Sequence, residues 1–295
     1  MKSDNANING IIVINKEKGF TSHDVVAKMR RILGTRKIGH TGTLDPEATG
    51  VLPVCIGKAT KVCDMILNSD KEYIAEIKFG ITTDTQDIFG NILEEKSVLL
   101  SKGEIENAIM SFEGEIEQIP PMYSAVKIGG KKLYEYARKG VEVERSARKV
   151  TIKKIDILET GSDTAKIKVL CSKGTYIRTL CSDIGEKLSC GACMTSLVRT
   201  KSAGFDIENA VTLTKLEEDG YEKYLINTDF VFKSLPSFNA DFDTKKRLLN
   251  GAKTTVSAPV GRYRVYDENG VFLCVACVSK YNGRNVITSE KLFGE

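Results

Sequence analysis

The stretch GHTGTLDPEATGVLPVCI, residues 39–56, is the part of the chain that best indicates how the whole is built. Its first twelve residues contain three glycines, which let a backbone turn tightly and approach a ligand closely. Pro46 fixes the backbone immediately after the carboxylate of Asp45. The apolar residues 51–56 predict a strand. We therefore expect a rigid loop that presents Asp45, with an Asx turn that only caps the backbone as the alternative interpretation.

Segments on both sides of this loop alternate between helix and strand patterns. Ser22 is a candidate N-cap for a helix that Gly34 closes, and residues 73–79 alternate apolar and polar side chains as a half-buried strand does. Further strands are predicted at residues 11–14, 150–158, 165–171 and 195–200, and further helices at residues 59–67 and 101–112 and before residue 188. This succession predicts a mixed α+β sheet protein.

The chain changes character after Pro236. Three short strands are predicted there, at residues 262–266, 271–278 and 286–292. Both connections between them contain Asn-Gly, which is typical of β-hairpins. We therefore divide the chain into a main body, residues 1–235, and a small β-rich domain, residues 236–295.

Charge along the chain favours an acidic partner. The 43 Lys and Arg residues against 39 Asp and Glu leave a net charge of +4, which is too mild for a protein that binds by bulk charge alone. Residues 127–154, however, hold ten basic residues against three acidic ones, with Tyr134 and Tyr136 among them. Aromatic side chains beside cations suit nucleic acid, whereas a merely solvated charged face is the alternative.

Several protein classes can be set aside. No run approaches the roughly twenty apolar residues of a membrane span, and the polar start lacks the pattern of a signal peptide, so we expect a cytoplasmic protein. Without an export signal, the eight cysteines are expected to be thiols. Two CxxC pairs, Cys190 with Cys193 and Cys274 with Cys277, match the spacing of a zinc site. Residues three apart on a strand point to opposite faces, so we expect buried structural cysteines and no metal.

Four separate motifs, in order along the chain, resemble those of one family. They are GHTGTLDPEATGVLP (39–53), GKATK (57–61), MYSAVKIGGKKLYEYARKG (122–140) and SKGTYIR (172–178). Together they closely resemble the TruB-type tRNA pseudouridine synthases over roughly residues 9–214. The resemblance implies a pseudouridine synthase fold with a mixed, largely antiparallel central sheet and flanking helices. It also implies an RNA-clamping insertion at about residues 122–148 and a PUA-like, RNA-binding C-terminal domain.

The activity that the resemblance implies is isomerisation of uridine 55 in the T loop of tRNA, without a metal or an organic cofactor. The target base would have to be flipped out of the folded loop, at a cost that stacking and backbone contacts offset. We expect the partner to be the T stem-loop of tRNA and the enzyme to be a monomer.

The same resemblance gives roles to individual residues. Asp45 matches the family's catalytic aspartate, Arg178 the arginine beside it, and Tyr73 the tyrosine that stacks on the uracil. Because an adjacent guanidinium lowers the pKa of a carboxyl group, Arg178 is expected to keep Asp45 ionised. The residues expected to contact the substrate are Lys16, His40, Tyr176 and Leu197. Those expected to bind RNA are Lys127, Lys131, Lys132, Tyr134, Arg138 and Lys139.

Some features of the site stay open at this stage. Tyr176 and Arg178 are expected to face the same side of an extended segment. Asn15 and Glu17 depart from the Asp and Pro that commonly flank this lysine in the family, so the turn around Lys16 is expected to be less rigid. The carboxylate could attack the ribose, attack the base or take a proton from the sugar. A non-catalytic tRNA-binding or tRNA-folding protein and a zinc-binding protein are the alternatives.

Overall fold

The computed structural model describes residues 8–294 and centres on one large sheet. The elements up to residue 118 are β1 (Gly10–Lys16), α1 (Ser22–Leu33), β2 (Ile38–His40), β3 (Thr49–Ile56), α2 (Cys63–Leu67), β4 (Lys71–Phe79), β5 (Ile81–Thr83), β6 (Ile92–Glu95), α3 (Lys102–Met110) and β7 (Gly114–Gln118). Those that follow are β8 (Lys127–Ile128), β9 (Lys131–Lys132), α4 (Leu133–Ala137), β10 (Arg148–Thr160), β11 (Thr164–Cys171), α5 (Ile177–Lys187), β12 (Ala192–Ser202), β13 (Phe205–Asp206) and α6 (Leu213–Asp219). The predicted helix at residues 59–67 is a 3-10 turn, Gly57–Val62, followed by the short α2.

The large sheet has nine strands and is mixed. Its main path runs β1-β3-β12-β4-β11-β10-β7, while β2 pairs with β3 and β13 with β12. The β3–β12 pair is parallel and the other pairs are antiparallel. Helices α3 and α5 share a core with β4 and β11, and α1 shares a second core with β1 and β3. The predicted mixed, largely antiparallel sheet with flanking helices is confirmed.

Helix α1 is capped by Thr21, so the prediction of Ser22 as the N-cap is wrong. The Thr21 hydroxyl accepts the Asp24 backbone N–H at 3.1 Å, and the Asp24 carboxylate accepts the Thr21 backbone N–H at 2.9 Å. This reciprocal capping box satisfies two N–H groups at once, which a single cap at Ser22 would not do. Ser22 is buried instead, and its hydroxyl accepts the Leu44 backbone N–H at 2.9 Å. The helix is thereby tied to the loop that carries Asp45.

The residues after 236 form a second, smaller sheet. Its elements are β14 (Ser237–Asn239), α7 (Phe242–Leu249), β15 (Thr254–Thr255), β16 (Gly261–Tyr266), β17 (Phe272–Tyr281) and β18 (Arg284–Leu292), and the strand order is β14-β16-β17-β18-β15. Between β17 and β18, Asn282 has φ +48° and Gly283 φ +77°. Two left-handed residues are what a type I′ hairpin turn requires. The predicted β-rich C-terminal region is confirmed.

A cluster of aromatic rings joins the two sheets. Phe232 lies 6.1 Å from Phe272 and 5.9 Å from Phe293, measured between ring centroids, and the latter two rings stack at 5.2 Å. These side chains share one apolar cluster with Ile11 of β1. The Tyr266 hydroxyl also donates to Asp229 at 2.6 Å. The small sheet is therefore held against the β1 side of the large one by a continuous core.

The structure bears on two of the sequence-based expectations, those about a membrane span and about a four-cysteine zinc site. Among residues 8–294, no helix has the length and apolar character needed to cross a membrane. Cys193 lies on β12 of the large sheet, whereas Cys274 and Cys277 lie on β17 of the small one. Because the two CxxC pairs belong to different sheets, their pattern does not describe one four-cysteine site.

We predict that the aromatic cluster stabilises the chain as a whole. Phe232→Ala removes a buried ring that packs against Phe272 and Phe293. It should lower the free energy of unfolding by about 3–5 kcal/mol. Phe242→Ala, on the exposed side of α7, is the matched control and should change it by less than about 0.5 kcal/mol. Urea-induced unfolding measures both, and equal losses in the two variants would contradict the prediction.

Candidate active site

Lys16 fixes the position of the loop of residues 39–50 through hydrogen bonds to the backbone. The buried ammonium group of this residue donates to the carbonyl oxygens of Glu17 (3.0 Å), Phe20 (2.6 Å) and Pro46 (2.9 Å). Burial lowers the pKa of Lys16 to about 8, although the nearby charge of Asp45 opposes this. An ammonium group has three hydrogens, and here the backbone accepts all of them. Lys16 therefore positions the loop, and the turn around it is firmly held despite the departures from the family pattern.

Arg178 reaches the site from a helix. Tyr176 is the N-cap of α5, and the helix begins at Ile177. The expectation that Tyr176 and Arg178 share one side of an extended segment is wrong, because strand alternation has ended before Arg178. The chain turns early at Gly174, where φ is +80°. The Gln118 side chain then fixes Tyr176 by accepting its backbone N–H at 3.0 Å and donating to its carbonyl at 3.2 Å.

The guanidinium group of Arg178 is the point where the site converges. It binds the Asp45 carboxylate through Nε to Oδ2 at 3.0 Å and Nη2 to Oδ1 at 3.4 Å. Nη1 contacts Asp87 Oδ2 at 3.4 Å and donates to the Thr85 carbonyl at 3.0 Å. Nη2 also donates to the Tyr123 carbonyl at 2.8 Å. One nearly buried cation, 6% exposed, thus joins four separate segments of the chain.

Asp45 lies on the open side of this arrangement, with 40% of its side chain exposed. Packing by protein atoms raises the pKa of Asp45; Arg178 opposes this, and the charge of Asp87 adds to it. The net direction is upward, because burial outweighs the lowering effect of Arg178, and the expectation that Arg178 keeps Asp45 ionised stays a prediction. The carboxylate is oriented by an ion pair but is less well solvated than one in water, which makes it a stronger base and nucleophile.

Asp87 is a residue of this site that the sequence analysis missed. Its Oδ1 accepts the Thr85 hydroxyl at 2.8 Å and the Phe89 backbone N–H at 3.1 Å, which leaves Oδ2 for Arg178. A Cβ added at Gly90 would lie 2.2 Å from the Thr85 hydroxyl oxygen, so this turn is tightly closed. No local pattern marks Asp87, because its partner lies 91 positions away and meets it only in the folded chain.

Tyr73 and Leu197 lie on neighbouring strands of the large sheet. They lie on β4 and β12, buried in the same apolar cluster as Leu44, which precedes Asp45. Burial raises the pKa of Tyr73, against the opposing charge of Arg199, and Asp45 is close enough to add to the rise. The phenol is therefore protonated at neutral pH. The structure thus puts Asp45 in contact with Arg178, and Tyr73 and Leu197 in the apolar cluster that includes Leu44, the residue before Asp45.

Arg199 is the second residue that the sequence analysis missed. It lies on β12 with 1% of its surface exposed, and it donates through Nε to the Val51 carbonyl at 2.7 Å and through Nη2 to the Gly42 carbonyl at 3.1 Å. Gly50 has φ +102°, and a Cβ there would lie 2.2 Å from the Arg199 carbonyl oxygen. The loop thus wraps closely around this arginine. The sequence signal that could have identified Arg199 is a cation two positions from Leu197, on the buried face of the same strand.

His40 ends β2 at the edge of the same loop. Its ring packs edge-on against His23, with centroids 5.4 Å apart. Burial, with smaller contributions from the charges of His23 and Arg199, lowers the pKa of His40 to about 4. Within residues 8–294, the buried Nδ1 of His40 has no hydrogen-bond partner. At neutral pH the His40 ring is therefore uncharged, and its Nδ1 remains available for a hydrogen bond.

The residues expected to bind RNA lie together on the insertion of residues 122–148. The hairpin β8–β9 leads into α4, which the buried Leu133 anchors. Tyr134 lies beneath two cations, with its ring centroid 5.4 Å from Lys132 Nζ and 5.3 Å from Arg138 Cζ. The exposed members of the set are Lys127, Lys131, Arg138 and Lys139. The insertion therefore presents a cationic surface, and its Tyr123 carbonyl is the one that Arg178 holds.

We predict that His40 stays neutral across the physiological range. Its imidazole should show no titration between pH 5.5 and 8, because burial takes the pKa to about 4. The chain contains only two histidines, so NMR of the ¹⁵N-histidine-labelled protein, with His40→Asn to assign the signal, measures this directly. A midpoint above about 6, near the ordinary histidine value, would contradict the prediction.

Comparison with protein families gives matches over most of the chain. Residues 30–177 match the family model described as "TruB family pseudouridylate synthase (N terminal domain)". Residues 178–229 match the model described as "tRNA pseudouridylate synthase B C-terminal domain". The two matches meet between Ile177 and Arg178, in the first turn of α5.

Curated relatives are similar over nearly their whole length. The tRNA pseudouridine synthase B of Clostridium perfringens is 48% identical over 275 residues, covering 90% of this chain and 94% of that protein. The tRNA pseudouridine synthase B of Bacillus pumilus is 43% identical and covers 98% of each chain. Similarity at this level extends to the C-terminal sheet, beyond the two family models.

Two solved structures have a similar fold. A chain in "Crystal Structure of a Cbf5-Nop10-Gar1 Complex" gives a TM-score of 0.71 at 27% identity, covering 97% of this chain and 85% of that one. A chain in "Structure of H/ACA RNP bound to a substrate RNA containing 2'-deoxyuridine" gives 0.71 at 25% identity with the same coverage. The predicted pseudouridine synthase fold is confirmed. By its family models, its relatives and its fold, this chain belongs to the TruB family of pseudouridylate synthases.

Proposed function

We propose that the chain is a tRNA pseudouridine synthase that isomerises uridine 55 in the T loop, with Asp45 as its catalytic residue. The observation that carries the proposal is the Asp45 carboxylate, held in two contacts by Arg178 and still 40% exposed. Leu44, the residue before it, packs in the same apolar cluster as Tyr73 and Leu197. The names of the relatives support tRNA as the substrate and isomerisation as the reaction.

The reaction needs a single well-placed carboxylate. Conversion of uridine to pseudouridine breaks the bond from N1 of the base to C1′ of the ribose, turns the base and forms a bond from C5 to C1′. C5 then loses its proton and N1 gains one, so the product is an isomer of the substrate. Asp45 can begin this by attack on the ribose, by attack on the base or by taking a proton from the sugar. Each route uses an ionised, oriented carboxylate, and the contacts of Arg178 provide the orientation.

Residues around Asp45 act on the flipped base. Tyr73, protonated and buried at the side of the site, is proposed to stack on the uracil and to assist proton movement from C5. Leu197 is proposed to form an apolar wall of the pocket for the base. His40 is proposed to fill the space that the base leaves in the RNA, which an uncharged ring does at less desolvation cost than a charged one.

Binding of the folded RNA is proposed to involve both ends of the site. The insertion of residues 122–148 would close on the T stem-loop through its lysines and Tyr134, and Tyr176 would contact the substrate beside Arg178. The region of residues 236–295 is proposed to be a PUA-like RNA-binding domain, set apart from a catalytic domain of residues 1–235. We propose a monomer that acts in the cytoplasm and needs no metal.

We predict that Asp45→Asn abolishes turnover while preserving binding. The amide keeps the size of the side chain and an oxygen for Arg178 but has no basic or nucleophilic carboxylate, so pseudouridine formation should fall by roughly 10²–10⁴-fold or more. Binding to unmodified tRNA should change by less than about threefold. Products are mapped by mass spectrometry after carbodiimide derivatisation, because pseudouridine and uridine have the same mass.

The matched control is Glu47→Gln, which removes a carboxylate two positions along the same loop. Glu47 pairs with the exposed Lys18 at 3.3 Å, and its loss should leave pseudouridine formation within about twofold. Turnover by Asp45→Asn close to that of the unaltered chain would refute the catalytic assignment. Tight tRNA binding by the unaltered chain without any pseudouridine would favour the non-catalytic alternative, and modification elsewhere than position 55 would refute the proposed target.

A further inference from the structure

A cleft of about 480 Å³ opens where β10 begins and the chain leaves β11. Its walls come from the end of α2, the start of β10 and the turn before α5. The side chains that matter for its chemistry are Leu67, Asn68, Arg148, Lys149, Lys173 and Tyr176. Tyr176, which lines the cleft, is the N-cap of α5, the helix whose first turn carries Arg178. Its volume falls within the range of about 300–1,000 Å³ that small-molecule sites occupy.

The walls of the cleft are connected to one another. Lys173 Nζ donates to the Asn68 side-chain oxygen at 2.8 Å, which joins the turn before α5 to the end of α2. The backbone N–H of Ser172 donates to the Thr151 carbonyl at 2.8 Å, and the Thr151 N–H donates to the Ser172 hydroxyl at 2.9 Å. These bonds join the same turn to β10. The cleft is therefore formed before any ligand arrives.

The charge of the cleft is positive. Three cations line it, against the single carboxylate of Asp64. The ammonium group of Lys149 is paired with Glu115 at 2.8 Å. Within residues 8–294, neither Arg148 nor Lys173 is paired with a carboxylate, and Lys173 has a neutral amide as its partner. Two cations are thus available to an anionic group.

We propose that this cleft binds the nucleotide adjacent to the target uridine on the same RNA strand. Its phosphate would lie between Arg148 and Lys173, and its sugar or base would pack on Leu67 and Tyr176. The reasoning is that flipping one nucleotide draws its neighbour out of regular stacking, so the neighbour needs a cationic, partly apolar surface next to the pocket. The inference rests on the proposed function, because it takes an RNA strand to enter at Asp45.

The first test measures how salt affects RNA binding. Each phosphate neutralised by a cation adds a little under one to the slope of log affinity against log salt. Arg148→Ala with Lys173→Ala should therefore weaken binding of the unmodified T-arm stem-loop by about tenfold at 0.1 M salt and reduce the slope by about one to two. Lys187→Ala, at the far end of α5, is the matched control and should leave both unchanged.

Charge-conserving variants separate phosphate binding from misfolding. Arg148→Lys with Lys173→Arg keeps both cations and should keep the slope of the unaltered chain. An unaltered slope and affinity in the alanine pair would overturn the proposal. Loss of the slope in the charge-conserving pair, with a normal unfolding midpoint, would also overturn it, because charge would then not be the reason.

A second test locates the phosphate. T-arm stem-loops are made with one neutral methylphosphonate linkage, next to a 2′-O-methyl nucleotide, at each position within two nucleotides of the target uridine. One linkage adjoining the uridine should weaken binding of the unaltered chain by several-fold and have little effect on the alanine pair. Additive effects at every position would overturn the proposal. Pseudouridine formation by the unaltered chain on the all-phosphate stem-loop tests the proposed function separately.

Discussion

The ion pair between Arg178 and Asp45 is the contact on which the rest of the site depends. The same guanidinium holds Asp87, the Thr85 carbonyl and the Tyr123 carbonyl, so the glycine-rich loop, the turn after β5, the insertion and α5 meet at one cation. Asp45 is oriented by this ion pair, yet its pKa is not depressed, because burial and the repulsion from Asp87 outweigh the attraction of Arg178.

The loop that carries Asp45 is shaped by cations that bond to backbone rather than to carboxylates. Lys16 donates to the Pro46 carbonyl, and Arg199 donates to the carbonyls of Gly42 and Val51. Such contacts fix where the loop lies without neutralising Asp45. They also explain the glycine spacing, since close approach to the Arg199 backbone leaves no room for a side chain at Gly50. Fixed donors around a reactive group reduce the reorganisation that a reaction would otherwise require.

The features that depend on neighbouring residues in the sequence could be predicted from it. The alternation in β4, the left-handed turn at Asn282 and the loop around Asp45 follow from propensity and turn chemistry, and the structure contains them. Asp87 and Arg199 were missed because their partners are remote in sequence. Arg178 lowers the Asp45 pKa as the sequence suggested, but burial and a second carboxylate, which arise only once the chain is folded, outweigh it. The catalytic and RNA-binding roles stay predictions.

The measurement that tests this account most directly is the titration of the Asp45 carboxyl carbon, followed by ¹³C NMR and assigned with Asp45→Asn. The account predicts a midpoint above the ordinary aspartate pKa of about 3.9 in the unaltered chain. It also predicts a lower midpoint in Asp87→Asn, because Arg178 then serves one carboxylate and a repelling charge is gone. A midpoint below the ordinary value, or one that Asp87→Asn does not move, would contradict the idea that two carboxylates share this guanidinium.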